Sequence, residues 1–194
     1  RIVYYLLLIS MIFDLIAKRR SIFPVQYNDK PIAKETLEKI VEAANWAPTH
    51  KKTEPWRFKV LTGKKKDEMG AFLSQKYQAV DPKPKQVTIK KLEDNAVRSN
   101  AAIAICMQRD PMESLPEWEE IAATAMAVQN MWLCCTELGI GCYWASPGLI
   151  KFMGEFFDLN EGEKCLGFLY MGYYDGEVEP SSRTPIAEKV EWLD

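Results

Sequence analysis

The 194-residue sequence predicts a domain of the α/β or α+β class, in which helices pack on a sheet. Helical and strand-like segments alternate along the chain, in four successive pairs of a helix followed by a strand. Hydrophobic residues make up 47% of the chain, which is enough for a sizeable core. No internal repeat is visible. We therefore expect one domain over residues 1–194, with residues 1–17 as an N-terminal helical segment.

The first half of the chain contains two helical patterns around one strand. In "IAKETLEKIVEAAN", apolar residues recur at helical spacing and predict an amphipathic helix over residues 34–45, which Pro48 follows. "PWRFKVLTG" alternates in polarity, so Trp56, Phe58 and Val60 are expected on the buried face of a strand that closes at Gly63. "KKKDEMGAFLSQKY" is typical of a helix, and the prolines in "QAVDPKPKQ" predict a solvated excursion.

The second half begins with "AAIAICMQR", residues 101–109, a short apolar run typical of a strand buried on both faces. A helix from Glu119 to Leu138 follows, apolar on nearly every side, with Gly139 placed as its C-cap. Such a helix must be covered all round, and the simplest cover in a short chain is a second copy of the subunit. Residues 142–146 and 164–174 are expected to form two more strands, separated by a helix around residues 148–157.

Charge and cysteine content exclude several classes of function. Lys and Arg number 25 against 27 Asp and Glu, so the net charge of −2 provides no overall attraction for nucleic acid or an anionic membrane. Any anion site must be local. The five cysteines form no CxxC pair and are interpreted as reduced, buried thiols of a cytoplasmic protein. With a single histidine, neither a zinc site nor a Ser-His-Asp or Cys-His hydrolase is supported, although a carboxylate-only metal site stays open.

The N-terminus, "RIVYYLLLISMIFDLIAKRRS", opens with an apolar run that lasts until Asp14. It resembles the apolar region of a signal peptide, but no small-residue cleavage site follows and the run is short for a membrane span. We expect a buried or partner-covered helix, with a membrane or targeting role as the alternative. Met11 is an alternative natural start, which would make residues 1–10 an upstream extension.

Four segments carry side chains suited to a cofactor. "KRRS", residues 18–21, offers guanidinium groups and a hydroxyl that can hold a phosphate, or cations that complement a helix C-terminus. "APTHKKTEPWRF" offers His50 and Lys51 to a heterocycle that gains negative charge on reduction, or forms a solvated loop. The glycines of "GIGCYWASPG" let a flat ring approach the backbone, although a plain turn explains them equally well. Arg183, in the polar tail "SSRTP", is by itself a surface residue.

No single segment is specific, and neither a GxGxxG nor a GxxxxGK[ST] phosphate loop occurs in the chain. Taken in order, however, "RRS", "AP…PWRF", "QNMWLCCTELGIGCYW" and "GFLYMGYY…SSRTP" resemble the FMN-dependent nitroreductase family over nearly the whole chain. The "APTHK" form looks most like its small single-domain members. The resemblance implies an α+β fold with a mixed, mainly antiparallel central sheet flanked by helices. It also implies an intertwined homodimer that binds FMN between its subunits.

The resemblance assigns roles to residues in each segment. The sequence departs from the family pattern at two places. Phe23 and Pro24 occupy a region where many members carry another arginine, and Glu54 occupies a position that is commonly Gln. The implied phosphate and ribityl contacts are Arg19, Arg20 and Ser21, with Arg183 as the late phosphate partner. The implied flavin contacts are Trp46, His50 and Lys51, from the same or the second subunit, and Trp144, Ala145 and Ser146 along the ring.

The implied chemistry is ping-pong hydride transfer, in which NADH or NADPH reduces flavin N5 and a nitroaromatic, quinone or similar acceptor then takes the electrons. No catalytic side chain and no metal are implied. The expected partners are a second subunit and a small-molecule acceptor, with no nucleic acid or membrane. Two alternatives remain: a flavoenzyme of the same fold with another substrate, such as a dehydrogenase or dehalogenase, and a non-catalytic flavin-binding protein.

Overall fold

A computed structural model describes residues 11–193 of the chain. Helix α1 comprises residues 11–18, and short 3-10 segments occur at Pro24–Gln26, His50–Lys52, Gly148–Glu155 and Ile186–Glu188. The longer helices are α2 (Lys34–Ala44), α3 (Gly63–Val80), α4 (Gln86–Arg98) and α5 (Glu117–Glu137). The strands are β1 (Trp56–Thr62), β2 (Ala101–Gln108), β3 (Ile140–Ala145) and β4 (Glu163–Tyr173).

The four strands form one sheet in the order β1-β2-β4-β3, and each pair of neighbours is antiparallel. A single bridge between Ser21 and Cys142 adds a parallel pairing at the β3 edge. Helices packed on a mainly antiparallel sheet define an α+β fold, which confirms that class and removes the α/β alternative.

Two helical layers cover the sheet, and β2 contributes to both. Residues Ala101 to Met107 of β2 are completely buried, as expected for an apolar strand covered on both faces. Ile103 and Ile105 pack with α2 and α5, whereas Ala102 and Ala104 pack with α3 and α4. The side-chain alternation of one strand therefore joins the two cores.

Helix α4 was not predicted from the sequence. The prolines confine the break to a short connection, so α3 continues to Val80 and α4 begins at Gln86. The signal for α4 was present, because Ile89, Leu92 and Ala96 are buried at helical spacing. Ala96 packs against Gly70 of α3 so closely that an added Cβ there would lie 2.6 Å from the Cβ of Ala96.

The expected burial of β1 was wrong at one position. Trp56 is buried and Phe58 is half-buried, but Val60 is 44% exposed. The exposure arises because β1 is an edge strand, and a groove of about 930 Å³ between β1 and α2 leaves Val60 uncovered. On the opposite face Leu61 is buried among residues of α3 and α4. The alternation therefore fails at Val60, because the groove leaves this part of the α2 face of β1 without cover.

Helix α1 carries exposed apolar side chains. Ile12, Phe13 and Ile16 are 48%, 66% and 50% exposed, so the described part of the chain leaves this face of the helix uncovered. Cover by a partner stays a prediction, and the expectations for residues 1–10 lie outside the described residues. Within residues 11–193, no helix combines the length and apolarity needed to cross a membrane.

Candidate flavin site

The "RRS" segment lies along the start of β3. The Arg19 amide donates to the Leu15 carbonyl at 3.1 Å and so completes the last turn of α1. Beyond it, Ser21 forms its parallel bridge with Cys142, and the Ile22 amide donates to the Cys142 carbonyl at 2.9 Å. These backbone contacts fix the segment against the sheet. They bring the predicted phosphate residues and the predicted ring-lining strand to one edge of the fold.

Three guanidinium groups form an arginine cluster here: Arg19, Arg20 and Arg183. Burial, together with the positive charges of Arg183 and Arg20, lowers the pKa of Arg19 below its ordinary value. Within the described residues, none of these three arginines forms an ion pair; the arginine that does is Arg109, which pairs with Glu120. Among residues 11–193, the cluster therefore concentrates positive charge with no carboxylate in ion-pair contact, an arrangement that favours a bound anion.

Within the cluster, Arg20 is already engaged with main-chain oxygens. Its guanidinium donates to the carbonyls of Ala17 and Arg19 at 2.5 and 2.8 Å, at the end of α1. It also donates to the Glu179 carbonyl at 3.3 Å. This last bond ties the C-terminal tail to the segment, four residues before Arg183. Arg20 thus contributes positive charge and also holds the tail, with its Arg183, close to Arg19.

Trp132 of α5 belongs to this site, although sequence reasoning did not single it out. Its indole Nε1 donates to the Arg20 carbonyl at 3.0 Å, and the Arg19 guanidinium carbon lies 4.7 Å from its ring centroid. In the sequence, Trp132 stands in a continuous apolar helical run, where an aromatic residue indicates core packing. Its contact with the arginines is a tertiary feature without a local signal.

The predicted ring-lining residues continue along β3. Trp144 is half-buried and packs against the core between the sheet and α5, whereas Ser146 is exposed beyond the strand. Cys142 and Trp144 share a face of the strand, so Trp144 stands about 7 Å beyond the residue that Ser21 contacts. Gly167 on β4 makes room for this arrangement, since an added Cβ would lie 2.6 Å from the Ala145 carbonyl oxygen.

Phe23, where the resemblance implied another arginine, takes part in an aromatic pair. Its ring centroid lies 4.6 Å from that of Tyr143, at an interplanar angle of 49°. The side chain is 44% exposed. The position therefore supplies an aromatic surface beside β3 instead of a cation, and Arg183 from the tail supplies a third guanidinium to the cluster.

The His50 loop docks on the other end of α5. His50 Nδ1 lies 2.6 Å from Glu119 Oε2, and the Lys51 ammonium donates to the Ser114 carbonyl at 2.9 Å. Lys51, Lys52 and Glu54 adopt left-handed backbone angles, with φ of 50°, 57° and 42°. Such angles are uncommon outside glycine and show that the loop is held by its contacts.

The length of α5 separates these two groups within one chain. Glu119, which binds His50, and Trp132, which binds the arginine cluster, are thirteen positions apart on the same helix. At 1.5 Å per residue, this places them about 20 Å apart. The structure therefore gathers Arg19, Arg20, Ser21, Arg183 and the start of β3, whereas His50 and Lys51 lie elsewhere in the same subunit.

Trp46 follows α2 and is 79% exposed. It borders a groove of about 560 Å³, where α1, the end of α2 and the second half of α5 meet. Ile12, Leu15 and Leu133 line the same groove, so its surface is largely apolar. Trp46 is thus presented outward on a surface that a second chain can cover.

Comparison with known proteins decides the family. The model of the nitroreductase family matches residues 16–173. The chain belongs to the nitroreductase family. The nitroreductase-like protein of Bacillus cereus, a solved structure, is 33% identical, superimposes with a TM-score of 0.79 and covers 94% of this chain and 95% of its own. The Bacillus subtilis (strain 168) protein named "Putative NAD(P)H nitroreductase YfhC" is 31% identical, with 93% of each chain aligned.

A protein of Desulfovibrio desulfuricans, solved in complex with FMN, is 22% identical to this nitroreductase-family chain. It superimposes with a TM-score of 0.71 and covers 94% of this chain and 96% of its own. At this identity the match shows a common fold. Family membership and the α+β fold together confirm the recognition made from the sequence motifs, and they make the protein an oxidoreductase.

Proposed function

We propose that this single-domain chain is an FMN-dependent NAD(P)H oxidoreductase that works as a homodimer on nitroaromatic, quinone or similar electron-poor acceptors. The arginine cluster beside β3 carries the proposal, because three cations that form no ion pair with a carboxylate of residues 11–193 suit the dianionic phosphate of FMN. The Bacillus subtilis relative is named an NAD(P)H nitroreductase, which supports NAD(P)H as the electron donor. Bound FMN would accept hydride from NAD(P)H and pass it to the acceptor in a ping-pong cycle.

The chain's own residues bind and orient the cofactor in this scheme. Arg19 and Arg183 hold the phosphate through charge-assisted hydrogen bonds, and the exposed Ser21 hydroxyl donates to the phosphate or ribityl oxygens. The Trp144 to Ser146 segment lies along the ring. Its apolar side chains and the adjacent Phe23–Tyr143 pair exclude water from one side of the flavin.

A second subunit completes the site, because one chain keeps His50 and Lys51 about 20 Å from the arginine cluster. Trp118 and Met126 of α5 are 67% and 40% exposed, and Leu138, which follows the helix, is 45% exposed. Together with α1 and Trp46, this surface is apolar enough to be an obligate interface. In the dimer, Trp46, His50 and Lys51 of one subunit would reach the flavin held by the other, where a cation stabilises the reduced ring.

The first test is flavin binding. The purified protein is expected to be yellow, to release FMN on denaturation and to bind FMN in a fluorescence titration. Arg19→Ala removes one charge-assisted contact, so the free energy of FMN binding should weaken by about 1.5–3 kcal/mol and the dissociation constant should rise accordingly. The matched control is Arg98→Ala, because Arg98 is an exposed arginine of α4. A colourless protein that ignores added FMN would end the proposal.

The second test is reduction and assembly. NADH or NADPH should bleach the bound flavin without oxygen, and a nitroaromatic or quinone should restore its colour. Bound flavin that neither donor bleaches would favour the non-catalytic alternative. Sedimentation should give a dimer at low micromolar concentration, consistent with an interface above about 2,000 Å². A stable monomer that retains flavin would contradict the shared site.

A further inference from the structure

One side chain, Trp132, touches two consecutive residues of the arginine cluster in two different ways. Its Nε1 donates to the main-chain carbonyl of Arg20 at 3.0 Å, which fixes the backbone of the segment. Its ring face meets the guanidinium of Arg19, whose central carbon is 4.7 Å from the ring centroid. The indole also packs against the buried core cluster that α2 and α5 form with the sheet. The tryptophan is therefore a rigid support between the core and the cluster.

Arg19 needs such a support because its surroundings disfavour its charge. Burial and the charges of Arg183 and Arg20 both act against the cation, as the lowered pKa of Arg19 reflects. A free arginine in this position would move its head group towards water and away from the other two cations. The negative face of an indole attracts a guanidinium and holds it flat.

The geometry of stacking also leaves Arg19 able to bind an anion. A guanidinium that lies on a ring uses its flat face for the ring and keeps its N–H groups at the edge for oxygen acceptors. Arg20 differs, because its N–H groups already serve the carbonyls of Ala17 and Glu179. Arg19 is thus the member of the cluster whose guanidinium lies over an aromatic ring, and Trp132 is the residue that supports it.

We propose that Trp132 is a positioning residue of the phosphate site: its bond to the Arg20 carbonyl anchors the indole, and the indole holds the Arg19 guanidinium in the geometry that binds the phosphate of FMN. The inference rests on the proposed function. It adds a residue on the long helix α5 to a site otherwise built from the "RRS" segment, the tail and β3. The indole acts through its neighbours and touches no reacting atom.

The test compares FMN with riboflavin, which has the same ring and ribityl chain but lacks the phosphate. Trp132→Leu removes the ring face and the N–H donor, and should reduce the ratio of FMN affinity to riboflavin affinity about three- to tenfold. Riboflavin affinity should change by less than about twofold, which serves as the internal control. Trp132→Phe keeps a ring face but loses the N–H, so its ratio should fall between those of Trp132→Leu and the wild type.

A double-mutant cycle with Arg19→Ala separates positioning from general packing. If Trp132 acts through Arg19, Trp132→Leu should cause little further loss of the affinity ratio once Arg19 is alanine. Equal losses for FMN and riboflavin, or additive losses in the cycle, would overturn the inference and leave Trp132 a packing residue. If Trp132→Leu does not fold, the ratio measured for Trp132→Phe decides by the same criterion. A wild-type protein that binds neither flavin would refute the proposed function itself, an outcome distinct from these.

Discussion

Removing one hydroxyl group, in Tyr27→Phe, tests how the cofactor-binding segment is fastened to the sheet. The Tyr27 hydroxyl lies 2.7 Å from the Ile22 carbonyl oxygen and 3.0 Å from that of Tyr170 on β4. It therefore joins the residue that follows Ser21 to the central sheet. Burial raises the pKa of Tyr27 well above its ordinary value, so the hydroxyl keeps its proton and remains a donor at every ordinary pH.

The expected loss follows from the single proton of that hydroxyl. One hydrogen bond contributes about 1 kcal/mol, and a buried carbonyl left without its donor adds a further penalty. The free energy of unfolding should fall by about 1–2 kcal/mol. For a chain of 194 residues, this corresponds to a melting temperature lower by about 2–8 °C. FMN affinity should fall less than in Arg19→Ala, because the arginines themselves remain.

Tyr174→Phe is the matched control for this measurement. Tyr174 is half-buried and its backbone bridges Tyr27, but its hydroxyl makes no hydrogen bond within residues 11–193. Its loss should stay within about 0.5 kcal/mol. Thermal melts must use one protein concentration, since dimerisation makes the melting temperature depend on concentration. Equal melting temperatures for the two variants would refute the assigned role of the Tyr27 hydroxyl.

Two further predictions concern stability. Gly172→Ala should lower the free energy of unfolding, measured in urea, by about 1–3 kcal/mol, because the added Cβ would lie 2.5 Å from the Tyr27 ring. Gly148→Ala is the control and should be nearly neutral, because no atom lies within 4 Å of its added Cβ. Equal effects of the two substitutions would contradict the close packing of Gly172 on Tyr27. Although burial by itself raises the pKa of Glu163, hydrogen bonds from Lys59 and Asn160 hold it below its ordinary 4.5. The ionised Glu163 carboxylate therefore stabilises the folded state above pH 4.5, and this stabilisation is lost as the pH falls through the lowered folded pKa. Glu163→Gln should thus destabilise the protein at pH 7 and progressively less below pH 4.5. A difference independent of pH in urea titrations would contradict this.

The sequence by itself determined the family, the fold class and most of the elements. The helix pattern at residues 34–45 and the apolar strand at residues 101–109 were confirmed, because one-sided burial and two-sided burial leave distinct local periodicities. The motif order from "RRS" to "SSRTP" identified the nitroreductase family, although each motif alone had a structural explanation. The local pattern failed in two places. The prolines before α4 outweighed its helical spacing, and the alternation in β1 did not reveal the groove that leaves Val60 exposed.

Only the tertiary structure decided which candidate residues meet. Arg19 and Arg183 are distant in sequence, and the tail joins the cluster because the Arg20 guanidinium binds the Glu179 carbonyl. Trp132 enters the site because α5 passes beneath the "RRS" segment, a contact that an apolar helical pattern does not encode. His50 pairs with Glu119 at the far end of α5, since a long helix holds its two ends apart. Sequence records which side chains are available, whereas the packing of α5 against the sheet fixes which of them share a site.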